Sequence, residues 1–139
     1  MYKAKRKKNI LSQDAVCNIM VVDDDDNILL AIKNGLEEKG FKIHIFKTVE
    51  SALDAFENHP RDYYDLVLTD IYMPNMNGFA LYLCLKEKNS SLKIVFMTAF
   101  DIAVEEFKAV VPSVELNDVI KKPFSISDLA TRIRYILIS

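Results

Sequence analysis

Two kinds of hydrophobic pattern alternate along this chain from Ile19 onward. Short apolar or β-branched runs occupy Ile19–Val22, Lys42–Phe46, Leu66–Thr69, Ile94–Met97 and Val119–Lys121, and each predicts a strand. Stretches with helical spacing lie between them. Ile28, Ile32 and Leu36 recur every four residues, with Lys33, Asn34, Glu37 and Glu38 on the other side. Val49, Ala52, Leu53 and Phe56 form a second stripe, and Ile126, Leu129, Ala130, Ile133, Ile136 and Leu137 form the cleanest one. That last stripe is opened by the cap-like Ser125-Ile126-Ser127-Asp128. Phe79–Lys88 is apolar nearly all round; its length, and the Met76-Asn77-Gly78 turn before it, favour a helix. Gly40 after Lys39 fits a helix C′ position.

Five strands alternating with helices predict a parallel sheet covered on both faces and joined by right-handed crossovers. Strands buried on both sides read as continuous apolar runs, as Ile19-Met20-Val21-Val22 and Leu66-Val67-Leu68 do. The expected architecture is α/β, a flavodoxin-like (βα)5 doubly wound sheet of strand order 2-1-3-4-5. Residues 17–139 form the one folded domain in this reading, and residues 1–16 a basic, flexible arm.

Length and composition narrow the classes. The 139 residues suit one domain, and a chain that is 50% hydrophobic can bury a core. The longest apolar run, Phe79 to Leu85, is far shorter than the roughly eighteen residues a membrane span needs. No secretory signal is expected, because Asn9, Ser12, Gln13 and Asp14 stand where its apolar stretch would be. Cys17 and Cys84 sit in apolar segments, which predicts buried, reduced thiols and a cytoplasmic setting.

The net charge of −2 conceals an asymmetry. Lys3, Lys5, Arg6, Lys7 and Lys8 crowd the first eight positions, leaving the remainder with 13 basic against 20 acidic residues. An acidic body is not a nucleic-acid surface. The arm reads as a solvated terminus, or as a weak contact for an anionic partner.

In open α/β sheets ligands bind outside the carboxyl ends of the strands. Four such ends carry chemistry here: Asp23-Asp24-Asp25-Asp26 after the first strand, Thr69-Asp70 at the third, Met97-Thr98 at the fourth, and Lys121-Lys122-Pro123 at the fifth. Adjacent strands lie roughly 5 Å apart, so these ends converge. Carboxylates about 4 Å apart repel by some 4 kcal/mol per pair at an effective dielectric near 20, and the patch therefore asks for a cation. Hard oxygen ligands, few in number, favour Mg2+. An EF-hand is excluded, because a loop starting at Asp23 would need Gly at Ile28 and Glu at Asn34. One carboxylate could then attack a phosphoryl group, with Lys122 stabilising its oxygens and the Thr98 hydroxyl bonding the product. Asp26 is expected to N-cap the first helix.

These residues resemble the receiver domain of two-component response regulators, from near Cys17 to Leu137. The motifs are Val21-Val22-Asp23-Asp24, Asp70-Ile71-Tyr72-Met73-Pro74-Asn75-Met76-Asn77-Gly78, Met97-Thr98-Ala99 and Lys122-Pro123-Phe124. The resemblance implies Asp70 as phospho-acceptor, and Mg2+ held by Asp23, Asp24, Asp70 and the backbone carbonyl of Tyr72. It implies Thr98 as the switch hydroxyl, Lys122 as the phosphate-binding lysine, a cis Lys122–Pro123 bond, and a small Ala99 leaving the phosphoryl group accessible. A histidine kinase or phosphotransfer protein would be the donor and an unidentified protein the downstream partner; a homodimer stays open. The chemistry would be self-phosphorylation and self-dephosphorylation, not turnover as an enzyme.

Three departures stand out. Val119 occupies the place where the family usually carries Tyr or Phe, so no large ring is there to swing inward. Pro112–Asn117 replaces the usual glycine-rich turn. Tyr72 and Phe100, two residues after Asp70 and Thr98, are bulky enough to shield an acyl phosphate, which predicts slow loss of phosphate. The rival within the fold is a receiver-like interaction module that works without phosphorylation, favoured by Val119 alone. An aspartyl phosphatase would carry an acid at Tyr72 and a cap domain, and P-loop hydrolysis lacks its Gly-Lys-Ser/Thr motif. The chain stops one helix after Lys122-Pro123, which reads as a stand-alone regulator or a piece of a longer protein, without an output domain of its own.

Overall fold

The computed structural model describes residues 16–73, 77–99, 109 and 118–139. Residues 1–15 of the basic arm, 74–76 of the motif after Asp70, Phe100 and 112–117 lie outside the described residues. Among the described residues, five strands and four helices follow one another as β1 (Asn18–Val22), α1 (Asp26–Glu37), β2 (Lys42–Phe46), α2 (Val49–Glu57), β3 (Leu66–Asp70), α3 (Gly78–Lys88), β4 (Lys93–Thr98), β5 (Val119–Lys121) and α4 (Ile126–Ile138). All strand pairs are parallel, in the order β2-β1-β3-β4-β5. The doubly wound reading holds.

The two faces of the sheet bury separate cores, because successive strand side chains point to opposite sides. Ile19, Val21, Leu68, Val95 and Met97 face α1 and α4, where Leu29, Ile32, Leu36, Leu129 and Ile133 meet them. Met20, Val22, Val67, Ile94 and Phe96 face α2 and α3, against Ala52, Phe56, Leu81 and Leu85. The helical stripes read from sequence are the inward faces, with Leu29 rather than Ile28 fully buried in α1.

Local signals set the helix ends. Ser125 accepts from the Asp128 N–H at 3.0 Å to start α4, and Thr48 accepts from Ser51 to start α2. After α1, the Phe41 N–H bonds Leu36 C=O at 3.2 Å and the Gly40 N–H bonds Glu37 C=O at 3.1 Å. These are the bonds of a Schellman turn, with Gly40 at φ +94° in its C′ role.

Two expectations are corrected. Asp25, not Asp26, caps α1: its backbone is extended and its carboxylate accepts from the N–H groups of Asn27 and Ile28. Asp26 already belongs to the first turn and points outward to pair with Lys47 at 3.1 Å. Both cysteines are free thiols, but only Cys17 is buried. Cys84 is half-buried on α3, whose apolar character continues onto its outer face at the 57% exposed Leu83. Among the described residues no helix is long and apolar enough to cross a membrane. At the far edge of the sheet, the Arg132 guanidinium of α4 donates to the Val119 carbonyl of β5 at 2.8 Å.

Candidate functional site

Strand register brings the polar strand ends together. Val22 lies opposite Thr69, which sets Asp23 beside Asp70 one step later; Asp70 itself lies opposite Met97, and Thr98 lies opposite Lys121. The ladder runs past the strand ends, since the Asp23 N–H donates to Phe46 C=O at 3.1 Å and the Lys122 N–H donates to Thr98 C=O at 2.7 Å. The peptide bond between Lys122 and Pro123 is cis.

Carboxylate oxygens of Asp23, Asp24 and Asp70 all lie within 4.8 Å of one another. Lys122 Nζ reaches into the group, 2.7 Å from Asp23 Oδ2 and 3.5 Å from Asp70 Oδ2. Asp23 is fully buried, Asp70 nearly so, and Asp24 exposed. Three carboxylates against one ammonium leave a local charge of −2, the complement of a divalent cation. Oxygen donors of this kind suit a hard ion.

The site is fixed from behind by backbone. Asp70 Oδ1 accepts from the Ile71 N–H at 2.9 Å, and Asp23 Oδ1 accepts from the Asp25 N–H at 2.9 Å. Each of these carboxylates therefore has one oxygen tied down and the other turned to Lys122. Burial pushes the Asp70 carboxyl up, opposed by Lys122 and the Ile71 N–H and assisted by the Asp23 charge. Burial also works to lower Lys122, but the carboxylates of Asp23 and Asp70 outweigh it and hold the ammonium above its ordinary range.

Thr98 ends β4 and is buried, next to an exposed Ala99. Tyr72 follows two residues after Asp70 with its side chain 53% exposed. Val119 is half-buried and packs on the α2–α3 side of the core. Two supports had no functional reading in the sequence. The Thr69 hydroxyl, fully buried, donates to the Asp70 carbonyl at 3.0 Å. Gly78 opens α3 so close to that same carbonyl that a Cβ there would sit 2.3 Å from the oxygen, while its N–H donates to Ile71 C=O at 2.7 Å. Only the missing side chain lets α3 start there.

Comparison with known proteins decides the family. The family model "Response regulator receiver domain" matches residues 19–134. The chain belongs to the response regulator receiver family. Among curated relatives of this receiver is the response regulator receiver protein CpdR of Brucella abortus, 31% identical over 121 residues, which cover 87% of this chain and 97% of CpdR. The transcriptional regulatory protein RprY of Bacteroides fragilis is 30% identical over 131 residues, covering 92% of this chain and 52% of that protein. The receiver thus spans about half the length of the first relatives it matches. A crystal structure of a CheY-like response regulator receiver domain protein from Methanospirillum hungatei superposes with TM-score 0.77 at 27% identity. The match covers 88% of this chain and 94% of that one.

Proposed function

We propose that this receiver takes a phosphoryl group onto Asp70, with Mg2+ bound beside it, and uses the added charge to switch binding of a downstream protein. The observation that carries this reading is the excess negative charge of the cluster: Asp23, Asp24 and Asp70 converge, and among the described residues Lys122 is the cation bonded to them. Asp23, Asp24, Asp70 and the Tyr72 carbonyl would hold the ion. When bound, Mg2+ supplies the charge neutralisation that lets an anionic phosphoryl group approach three carboxylates.

Asp70 Oδ2, the oxygen facing Lys122 while Oδ1 is held by the Ile71 N–H, is the nucleophile. It forms the new P–O bond as the P–N bond to a donor imidazole breaks, the electron pair leaving with the nitrogen. Lys122 meets the charge on the phosphoryl oxygens, and the Thr98 hydroxyl bonds one of them. A small, exposed Ala99 keeps the entrance open. The donor is a histidine kinase or phosphotransfer protein. The product adds roughly 1.5 to 2 negative charges at the strand ends, which biases the surrounding surface between two arrangements.

Intact mass after incubation with Mg2+ and a small phosphodonor tests the reading. Wild type is expected to gain one phosphoryl group, and Asp70→Ala or a chelator to abolish the gain. A folded wild type that stays unmodified, even with a histidine kinase supplied, would overturn it in favour of a phosphate-independent module.

A further inference from the structure

Both histidines of the chain belong to one cluster, on the sheet face that carries α2. His44 sits in the middle of edge strand β2, opposite the fully buried Met20, and its Nδ1 is 2.9 Å from the Tyr64 hydroxyl. Tyr64 is 1% exposed and stands edge-on to the imidazole, with ring centres 5.5 Å apart at 84°. His59, just beyond α2, lies flat on Tyr63, with ring centres 3.8 Å apart at 9°, and 6.2 Å from His44. Strand β2, the end of α2 and the segment entering β3 thus meet at one imidazole.

The direction of the His44–Tyr64 bond follows from the phenol. Burial, with a smaller effect of Tyr63, pushes Tyr64 up to about 12, so its hydroxyl keeps its proton at neutral and acid pH. A buried O–H needs an acceptor, and the atom beside it is Nδ1. His44 is then neutral, protonated on Nε2, with Tyr64 donating. A second proton would have to sit on Nδ1, which could then only donate, and the phenol oxygen could accept from it only by turning its own buried proton away from its acceptor. Either the imidazole rotates away or the phenol proton loses its partner.

The charges around His44 act in the same sense. Burial first, then Lys42 of its own strand, His59 beyond α2 and Lys33 of α1, hold it below its ordinary range; Glu37 of α1 acts the other way. Glu37 is itself engaged by Lys33 at 2.9 Å. Among the described residues, the remaining titratable groups against the ring are the phenols of Tyr63 and Tyr64.

We propose that the His44–Tyr64 pair is a proton-operated latch on the edge strand, closed while His44 is neutral and released when it is protonated, freeing β2 from the segment between α2 and β3. The unfolded chain takes up this proton at the ordinary value of 6.5, before the folded one does. Stability is therefore lost as pH falls through 6.5, and the loss is complete only below the lower, folded value.

The test uses the full chain. In wild type at pH 7.5, 15N NMR should find Nδ1 of His44 bare and Nε2 protonated, with a titration midpoint below 6.5. In Tyr64→Phe, where no phenol proton opposes a hydrogen on Nδ1, that midpoint should rise toward 6.5. Urea unfolding should show the folded-to-unfolded ratio falling several-fold more between pH 7.5 and 5.5 in wild type than in His44→Gln. A proton on Nδ1 at pH 7.5, an unmoved midpoint in Tyr64→Phe, or equal pH responses of wild type and His44→Gln would each overturn the latch. If His44→Gln does not fold, the two NMR readings decide.

Discussion

Two clusters of buried polar groups lie on the same sheet, and they differ in whether they complete themselves. Around His44 and Tyr64 the buried hydroxyl meets an imidazole nitrogen, and the neighbouring rings stack. At the strand ends, Asp23, Asp24 and Asp70 outnumber the Lys122 ammonium, the cation bonded to them among the described residues. Burying like charges costs free energy unless something neutralises them, and under the function proposed above Mg2+ would supply that neutralisation at the second cluster. A closed polar cluster shapes the fold; an open one specifies what must come from outside.

The sharpest way to break this contrast is to remove the Lys122 ammonium. Lys122→Ala should slow phosphorylation of Asp70 by about 10²- to 10³-fold. It should also cost about 3–5 kcal/mol of stability in the absence of metal, because two buried carboxylates lose their partner. Rates from intact mass and urea unfolding with and without Mg2+ check both, and Mg2+ should restore more stability to the variant than it adds to wild type. Gly78→Ala comes next. Its Cβ must displace the Asp70 carbonyl, an overpacking expected to cost about 1–3 kcal/mol by urea unfolding, with slower phosphorylation besides.

Acid separates the two clusters by sign. The Asp70 carboxyl is raised, so between 3.8 and its folded value the folded chain holds more protons than the unfolded one. Its penalty is present above that window and relieved as pH falls through it, opposite to the effect expected of His44. With a chelator present, Asp70→Asn should exceed wild type by about 1 kcal/mol near neutrality, most of the ~4 kcal/mol carboxylate repulsion being offset by Lys122. The gap should close on acidification in a series of urea midpoints. The smallest effect is at the surface. Asp25→Ala should cost about 1 kcal/mol as a lost helix cap. Asp26→Ala removes only an exposed pair with Lys47 and should cost about 0.5 kcal/mol or less in the same assay.

Much of this was legible in the chain. Apolar runs located every described strand to within one residue at each end, because parallel strands buried on both faces leave little room for polar residues. Polar residues interrupting those runs marked the strand ends, and the register then gathered Asp23, Asp24, Asp70 and Lys122. What the sequence hid is of two kinds. Within four successive aspartates nothing local distinguishes Asp25 from Asp26, and the extended backbone of one residue decides the cap. Thr69, Gly78 and the His44–Tyr64 pair act through contacts made only when the chain has folded; His44 and Tyr64 are 20 residues apart with no periodic relation. Gly78 was visible as a turn residue, but its closeness to the Asp70 carbonyl belongs to the packing of α3.

The Arg132–Val119 bond bears on how copies of this chain could associate. Successive residues of a strand turn their peptide groups to alternate sides, and the Lys122 N–H points inward to Thr98. The Val119 carbonyl therefore points away from β4, and the Arg132 guanidinium already occupies it. An incoming strand at β5 would have to displace a charged donor to gain that acceptor. The bond thus opposes strand-by-strand growth, the route to edge-to-edge aggregation, at the Val119 position of β5.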